Sequence, residues 1–194
     1  MTQVKRAHTP APASAHASNC PVIVVIHGPN LNLLGAREPN IYGQTTLREI
    51  DDDLKAHGAE LGVSVETFQS NHEGLLVDRV QQAHGTAVGL IINAGGLTHT
   101  SVSLRDAIAA IAIPTIEVHL SNLHKREEFR QRSYLAPICL GQVVGLGAIG
   151  YRLALDALAR LVLSPRPSGE PKGTHLHPIK SRAATLSKKG VAKK

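Results

Sequence analysis

The sequence predicts an α/β fold in which a parallel sheet carries helices on both faces. Three observations predict it. Apolar, β-prone runs alternate with segments of helical periodicity between residues 21 and 164, in the order β-α-β-α-β-α-β-(α)-β-α. The first run, Val22-Ile23-Val24-Val25-Ile26, is an unbroken β-branched stretch, which suits a strand buried on both faces. Finally, the dense polar clusters follow strands, whereas the returns from helix to strand (Gly62, Gly85-Thr86, Ile113-Pro114) are short and plain.

Taken in order, each element has its own local cause. His27-Gly28-Pro29-Asn30 cannot continue a buried strand, and Asn32 and Gly35 carry the punctuation on into a loop. Thr46-Leu47-Arg48-Glu49 has the spacing of a capping box, and Leu47, Ile50, Leu54 and Leu61 then share one side of a helix that Gly62 ends. Val63–Phe68 alternates and reads as a second strand near a sheet edge. After the polar loop Ser70–Gly74, Leu76, Val80 and Ala83 mark a helix reaching His84-Gly85. Ala87–Ile92 is the third strand, followed by Asn93–Thr100 and a helix from about Ser101 to Ala112 with Leu104, Ile108 and Ile111 inward. Pro114 precedes a fourth strand, Thr115–Val118. Lys125–Arg132 is a charged short helix or ordered loop, and Val143-Val144 is a weak fifth strand. Ala148, Tyr151, Leu155, Leu158 and Val162 recur at helical spacing and close the fold. Five strands suit the flavodoxin-like arrangement better than the longer dinucleotide fold. No internal repeat is present.

The two ends read differently from this body. Residues 1–20 are mostly Ala, Pro, Ser, Thr and His, and residues 165–194 are rich in Pro, Gly, Ser and Lys, so both are expected to be disordered, the second as a basic tail. The net charge of +6 belongs to these ends: the leader contributes +2 and the tail +7, leaving residues 21–164 at −3. A basic tail can touch nucleic acid, but aromatic residues make up only 3% of the chain, so stacking platforms for bases are lacking. The leader has no apolar h-region, and no run approaches the ~20 residues that cross a bilayer. Cys20 and Cys139 give no disulfide framework. A soluble, cytoplasmic protein without a membrane partner is the expectation.

If the sheet is parallel, four polar clusters meet at one rim: His27/Asn30/Arg37/Tyr42, Asn71/His72/Glu73, Asn93/Thr98/His99 and Glu117/His119/Ser121/Asn122. Several chemistries can be tested against them. GxGxxG is absent after the first strand, where Pro29 removes an amide donor, and no Gly-Lys-Ser/Thr run occurs. Asn93-Ala94-Gly95-Gly96 opening a helix could hold an anion, a weak signal alone. His72, His99, His119 and His124 lack the close pairing of familiar zinc sites. No Gly-x-Ser-x-Gly elbow exists, and Pro137-Ile138-Cys139-Leu140 is an apolar setting unlike that of a thiolate. General acid–base work remains. Tyr42 near Arg37 can act as a base where cations lower a phenol from its usual pKa of about 10. His119 flanked by Glu117 can donate a proton, although Glu-x-His at a strand end also serves purely structural roles.

Four segments then carry a resemblance to the type II 3-dehydroquinate dehydratases. They are His27-Gly-Pro-Asn-Leu-Asn-Leu-Leu-Gly-Ala-Arg-Glu-Pro-Asn-Ile-Tyr-Gly43, Gln69-Ser-Asn-His-Glu-Gly74, Ile92-Asn-Ala-Gly-Gly-Leu-Thr-His-Thr-Ser101, and Ile116-Glu-Val-His-Leu-Ser-Asn122 continued by Arg126-Glu-Glu-Phe-Arg130. The likeness spans about Val22 to Arg160. It implies a flavodoxin-like lyase of the shikimate pathway that converts 3-dehydroquinate to 3-dehydroshikimate through an enolate, with no cofactor. It further implies Tyr42 as base, Arg37 on a mobile lid favouring the phenolate, and Asn30 holding a water for the enolate oxygen. His119 would be the acid, oriented by Glu117, while Asn93, His99, Arg130, Leu120 and Ser121 would bind substrate. Asp106 matches a residue that the family supplies from a neighbouring subunit, which implies a trimer assembling into a dodecamer. Two departures stand out. Ala94 and Gly96 replace the family's usual proline and alanine, and Arg79 occupies a position often apolar or aromatic. Two other classes remain to be distinguished: a non-enzymatic module whose basic tail binds nucleic acid or a partner, and a flavodoxin-type cofactor binder.

Overall fold

The computed structural model describes residues 20–36 and 45–164. Five strands, β1 (Val22–His27), β2 (Ser64–Gln69), β3 (Gly89–Asn93), β4 (Thr115–His119) and β5 (Gly141–Val144), form one sheet in the order β2-β1-β3-β4-β5. Every pairing is parallel, so the fold is the flavodoxin-like one expected. The chain winds outward from β1 to β2 on one side and through β3, β4 and β5 on the other. A crevice therefore opens at the carboxyl ends of β1 and β3, where such folds take their ligands.

Four helices cover the sheet: α1 (Leu47–Leu61), α2 (Glu73–Gln82), α3 (Val102–Ile111) and α4 (Ile149–Leu163). Strand alternation decides which helix meets which side chain. Ile23 and Val25 of β1, Ile91 of β3 and Ile116 and Val118 of β4 pack with Ile50 and Leu54 of α1 and Leu155 and Leu158 of α4. Val24, Ile26, Leu90 and Ile92 instead pack with Leu76 and Val80 of α2 and Leu104 and Ile108 of α3. The capping box at α1 is formed as its spacing predicts. The Glu49 amide donates to Thr46 Oγ1 (3.2 Å), and the Thr46 amide donates to Glu49 Oε2 (2.8 Å). Gly62 then ends α1 in the left-handed conformation, with φ 79°.

The structure adjusts the sequence expectation at several element ends. β1 runs one residue further than its β-branched run, because both ring nitrogens of the fully buried His27 find partners inside the protein. β3 begins at Gly89 rather than Ala87, since the Ala87 amide is taken by the Ala83 carbonyl (2.9 Å) in the turn after α2. The charged stretch after β4 forms two short 3-10 turns, Leu123–Lys125 and Glu128–Gln131. Arg79 gains a partner on edge strand β2, with Nη2 2.6 Å from Glu66 Oε2. No helix among the described residues is long and apolar enough to cross a membrane. The expectations for residues 1–19 and 165–194 lie outside the described residues.

Candidate active site

The carboxyl end of β4 carries an acid buried on purpose. Ile116 and Val118 face α1 and α4, so Glu117 and His119 must point to the opposite side. There Glu117 has no solvent exposure. The β4/β5 register sets Gln142 beside it, and Gln142 Nε2 donates to Glu117 Oε2 at 2.6 Å. Ser133 Oγ lies 2.9 Å from both carboxylate oxygens, and His119 Nε2 donates to Oε1 at 2.9 Å. The Ser133 oxygen is itself fixed by the amides of Leu135 and Ala136. Burial works to raise the Glu117 carboxyl. The hydrogen bond and charge of His119, with Ser133 and Gln142, outweigh it and hold the group below its ordinary value. His119 is thereby locked in orientation, with Nδ1 as the ring nitrogen not engaged by Glu117.

That histidine forms one wall of a pocket of about 160 Å³ at the rim, shared with Asn30, Asn93, His99, Leu120, Ser121, Arg126 and Arg130. His99 faces His119 ring to ring, centroids 6.4 Å apart and planes 17° apart. Its Nδ1 donates to the Arg132 carbonyl (2.7 Å), which turns Nε2 into the free acceptor of the neutral ring. Two guanidinium groups, Arg126 and Arg130, give the pocket a positive side. Both contact Glu127, and Arg130 also lies over the Phe129 ring, 4.9 Å from its centroid. Two cations, a held imidazole and neutral amides lining one pocket suit a small, hydroxylated carboxylic acid.

The turns leaving β1 and β3 bring the amides in. Gly28 donates its amide to the Asn93 carbonyl (2.8 Å), and a Cβ at Gly28 would stand 2.5 Å from the Ala94 carbonyl carbon. No larger residue allows this approach. Asn30 follows in the left-handed region (φ 68°), its amide donating to Asn71 Oδ1 at 2.8 Å. A larger hollow of about 210 Å³ between α1 and α4 is lined by Ile50, Leu54, Ala148 and Tyr151 among others. Its walls are mainly apolar, so chemistry belongs to the rim pocket.

Of the residues the sequence nominated, Asn30, Asn93, His99, His119, Leu120, Ser121 and Arg130 line this single pocket, and Glu117 lies behind His119. Asp106 does not join them. It is exposed on α3, and its Oδ1 lies 3.3 Å from Arg105 Nη1. Glu73 is spent elsewhere, accepting a hydrogen bond from Ser101, the N-cap of α3. Arg37 and Tyr42 lie outside the described residues. Cys139 fits the apolar reading: burial, helped by the charge of Glu117, pushes its thiol up to about 12. Sequence reasoning missed the roles of Ser133, Gln142 and Arg126. Ser133 and Gln142 meet Glu117 from 16 and 25 residues away, Gln142 through the β4/β5 register and Ser133 from the loop before β5. Arg126 offered a signal in sequence, being a second arginine one helical turn before Arg130.

The folded body of the chain is similar to known proteins. Residues 21–159 match the family model described as dehydroquinase class II. The chain is 57% identical over 137 residues to a 3-dehydroquinate dehydratase of Ruegeria pomeroyi, covering 71% of this chain and 92% of that protein. It is 51% identical over 146 residues to catabolic 3-dehydroquinase 2 of Neosartorya fischeri, covering 75% and 97%. Among solved structures, the type II dehydroquinase of Butyrivibrio crossotus superposes with a TM-score of 0.70 at 45% identity, covering 71% of this chain and 97% of that one. That of Propionibacterium acnes gives 0.69 at 40%, covering 71% and 95%.

Proposed function

The chain belongs to the class II dehydroquinases, and from that membership we propose that it dehydrates 3-dehydroquinate to 3-dehydroshikimate in the shikimate pathway. The reaction runs through an enolate. Tyr42, as a phenolate favoured by Arg37, removes the proton next to the ketone, and the electron pair moves onto the carbonyl oxygen. Asn30 holds a water that donates to this oxygen. The enolate then re-forms its ketone, a carbon–carbon double bond is left behind, and the C1 hydroxyl departs with a proton from His119 as water. Glu117 keeps the imidazole aimed throughout. Asn93, His99 and Ser121 bind hydroxyls and carboxylate with the Leu120 backbone, and Arg130 pairs with the carboxylate.

The observation that carries this reading is the buried Glu117–His119 pair opening onto a pocket with a positive side. An acid held ionised in the interior makes an adjacent imidazole a ready proton donor. The family's use of a neighbouring subunit for Asp106 fits a side chain exposed on α3, and a trimer assembling into a dodecamer in the cytoplasm completes the proposal. The test is direct: purified protein mixed with 3-dehydroquinate should generate the ultraviolet absorbance of a conjugated enone. Silence with the assembled protein overturns the reading. A colour or spectral change on adding flavin, with no enone, would favour the cofactor-binding alternative instead.

A further inference from the structure

We propose that Ser133, together with Gln142, is a positioning residue that keeps the proton shared by Glu117 and His119 on the imidazole, so that the acid of the site is an imidazolium. The inference rests on the reading of the rim pocket as the substrate site with His119 as its proton donor.

The 2.9 Å bond between His119 Nε2 and Glu117 Oε1 has room for its proton on either side. With the proton on nitrogen, the ring is a cation whose other N–H, on Nδ1, is available as the acid. With the proton on oxygen, Glu117 is neutral and the ring is a neutral imidazole, a far weaker acid. The groups around the carboxyl decide between the two. Ser133 Oγ accepts the amides of Leu135 (3.0 Å) and Ala136 (2.9 Å), which occupy both of its lone pairs. Its single O–H is left for Glu117, whose two oxygens both lie 2.9 Å away. Gln142 Nε2 donates to Oε2 at 2.6 Å. His119 and Gln142 each meet one carboxylate oxygen, whereas Ser133 spans both. Two neutral donors aimed at this group favour its ionised form, against the burial that works to raise it.

The chain on either side of Ser133 is tied down as well. The Arg132 carbonyl accepts from His99 Nδ1 (2.7 Å), and the Tyr134 amide donates to the Thr98 carbonyl (2.9 Å). One short segment therefore holds both imidazoles of the pocket, His99 through Arg132 and His119 through Ser133 and Glu117. The other charged or titratable groups facing the pair are His99 across the His119 ring, Arg126 and Arg130 on the pocket wall, and Cys139, whose thiol feels the Glu117 charge. The guanidinium groups keep their charge throughout an assay range, and the thiol, pushed up to about 12, stays neutral there.

The pH dependence of kcat on 3-dehydroquinate tests this for Ser133→Ala, made in the wild-type and in the Glu117→Gln backgrounds, with circular dichroism as the control for folding. Without the hydroxyl, part of the shared proton passes to Glu117. In the wild-type background kcat should fall roughly 10-fold, the scale of one hydrogen bond to a charged group, while KM stays within about 2-fold. The alkaline limb of the kcat profile should move up by about half a pH unit or more, because the carboxyl now competes for the proton that this limb reports. In the Glu117→Gln background no carboxyl is present to take the proton, so the same substitution should leave the limb where it stands. An unmoved limb in Ser133→Ala, or an equal shift in both backgrounds, overturns the proposal. The second background also separates the effect from His99, whose titration would shift the limb with or without Glu117. Should Ser133→Ala fail to fold, Gln142→Leu removes the other neutral donor and leaves an apolar chain in its place. Its limb should move in the same direction, and an unmoved limb there counts against the proposal. A wild-type protein that turns over no substrate would sink the parent reading, a result distinct from any of these.

Discussion

Two buried polar networks stand at the same rim of the sheet, one on each face, and they handle charge in opposite ways. On the α2/α3 side, Glu117 is an anion enclosed by three donors, His119, Ser133 and Gln142. On the α1/α4 side, the Tyr151 phenol and the His27 imidazole form a chain that ends on the partly exposed carboxylate of Asp51. Burying an unpaired carboxylate costs several kcal/mol, so the first network exists only because each donor is present. The second costs far less to assemble, and each of its links is an ordinary neutral hydrogen bond or close to it. A group that must hand over a proton needs a fixed charge behind it, which the first network supplies to His119.

The comparison can be broken most forcefully at His119. Replacing it with Asn should lower kcat by about 10² to 10⁴, the range that a general acid contributes, with the fold retained; a drop below 10-fold would remove the acid from the charged network. Glu117→Gln should follow, lowering kcat by roughly 30- to 100-fold and destabilising the protein by about 2 kcal/mol, since an amide hydrogen now faces donors.

Its pH behaviour sharpens the point. The folded pKa of Glu117 lies below the ordinary 4.5, so its stabilisation is complete above that value and is lost as pH falls through the depressed one. Urea denaturation should therefore show the gap between wild type and Glu117→Gln narrowing in acid; a gap independent of pH would mean the carboxylate is not ionised in the fold. For the second network, Tyr151→Phe should cost about 1–3 kcal/mol in urea melts, leaving His27 Nδ1 one partner short. The smallest effect belongs to the edge: Arg79→Ala removes a partly exposed ion pair with Glu66 and should change stability by under about 1 kcal/mol.

How much of this was legible in the sequence follows from the range of each interaction. The capping box at Thr46, the Gly62 stop and the apolar stripe of α1 depend on neighbours within a few residues, so spacing alone finds them. The four polar clusters were legible as strand exits, and all but Asp106 among the nominated residues of the described region gather at one rim. What stayed hidden needs the sheet. His27 looked like the end of a strand because polar side chains are costly inside, and only the meeting with Tyr151, 124 residues later, makes it an interior residue. Tyr151 itself read as one more apolar position on a helical stripe. Gln142 lies outside the Val143-Val144 run that sequence marks as the fifth strand, and only the β4/β5 register puts it against Glu117.

The role of the charged network is tested most directly by measuring kcat and KM for Glu117→Gln on 3-dehydroquinate. A loss concentrated in kcat is the predicted outcome. An unchanged kcat would contradict it.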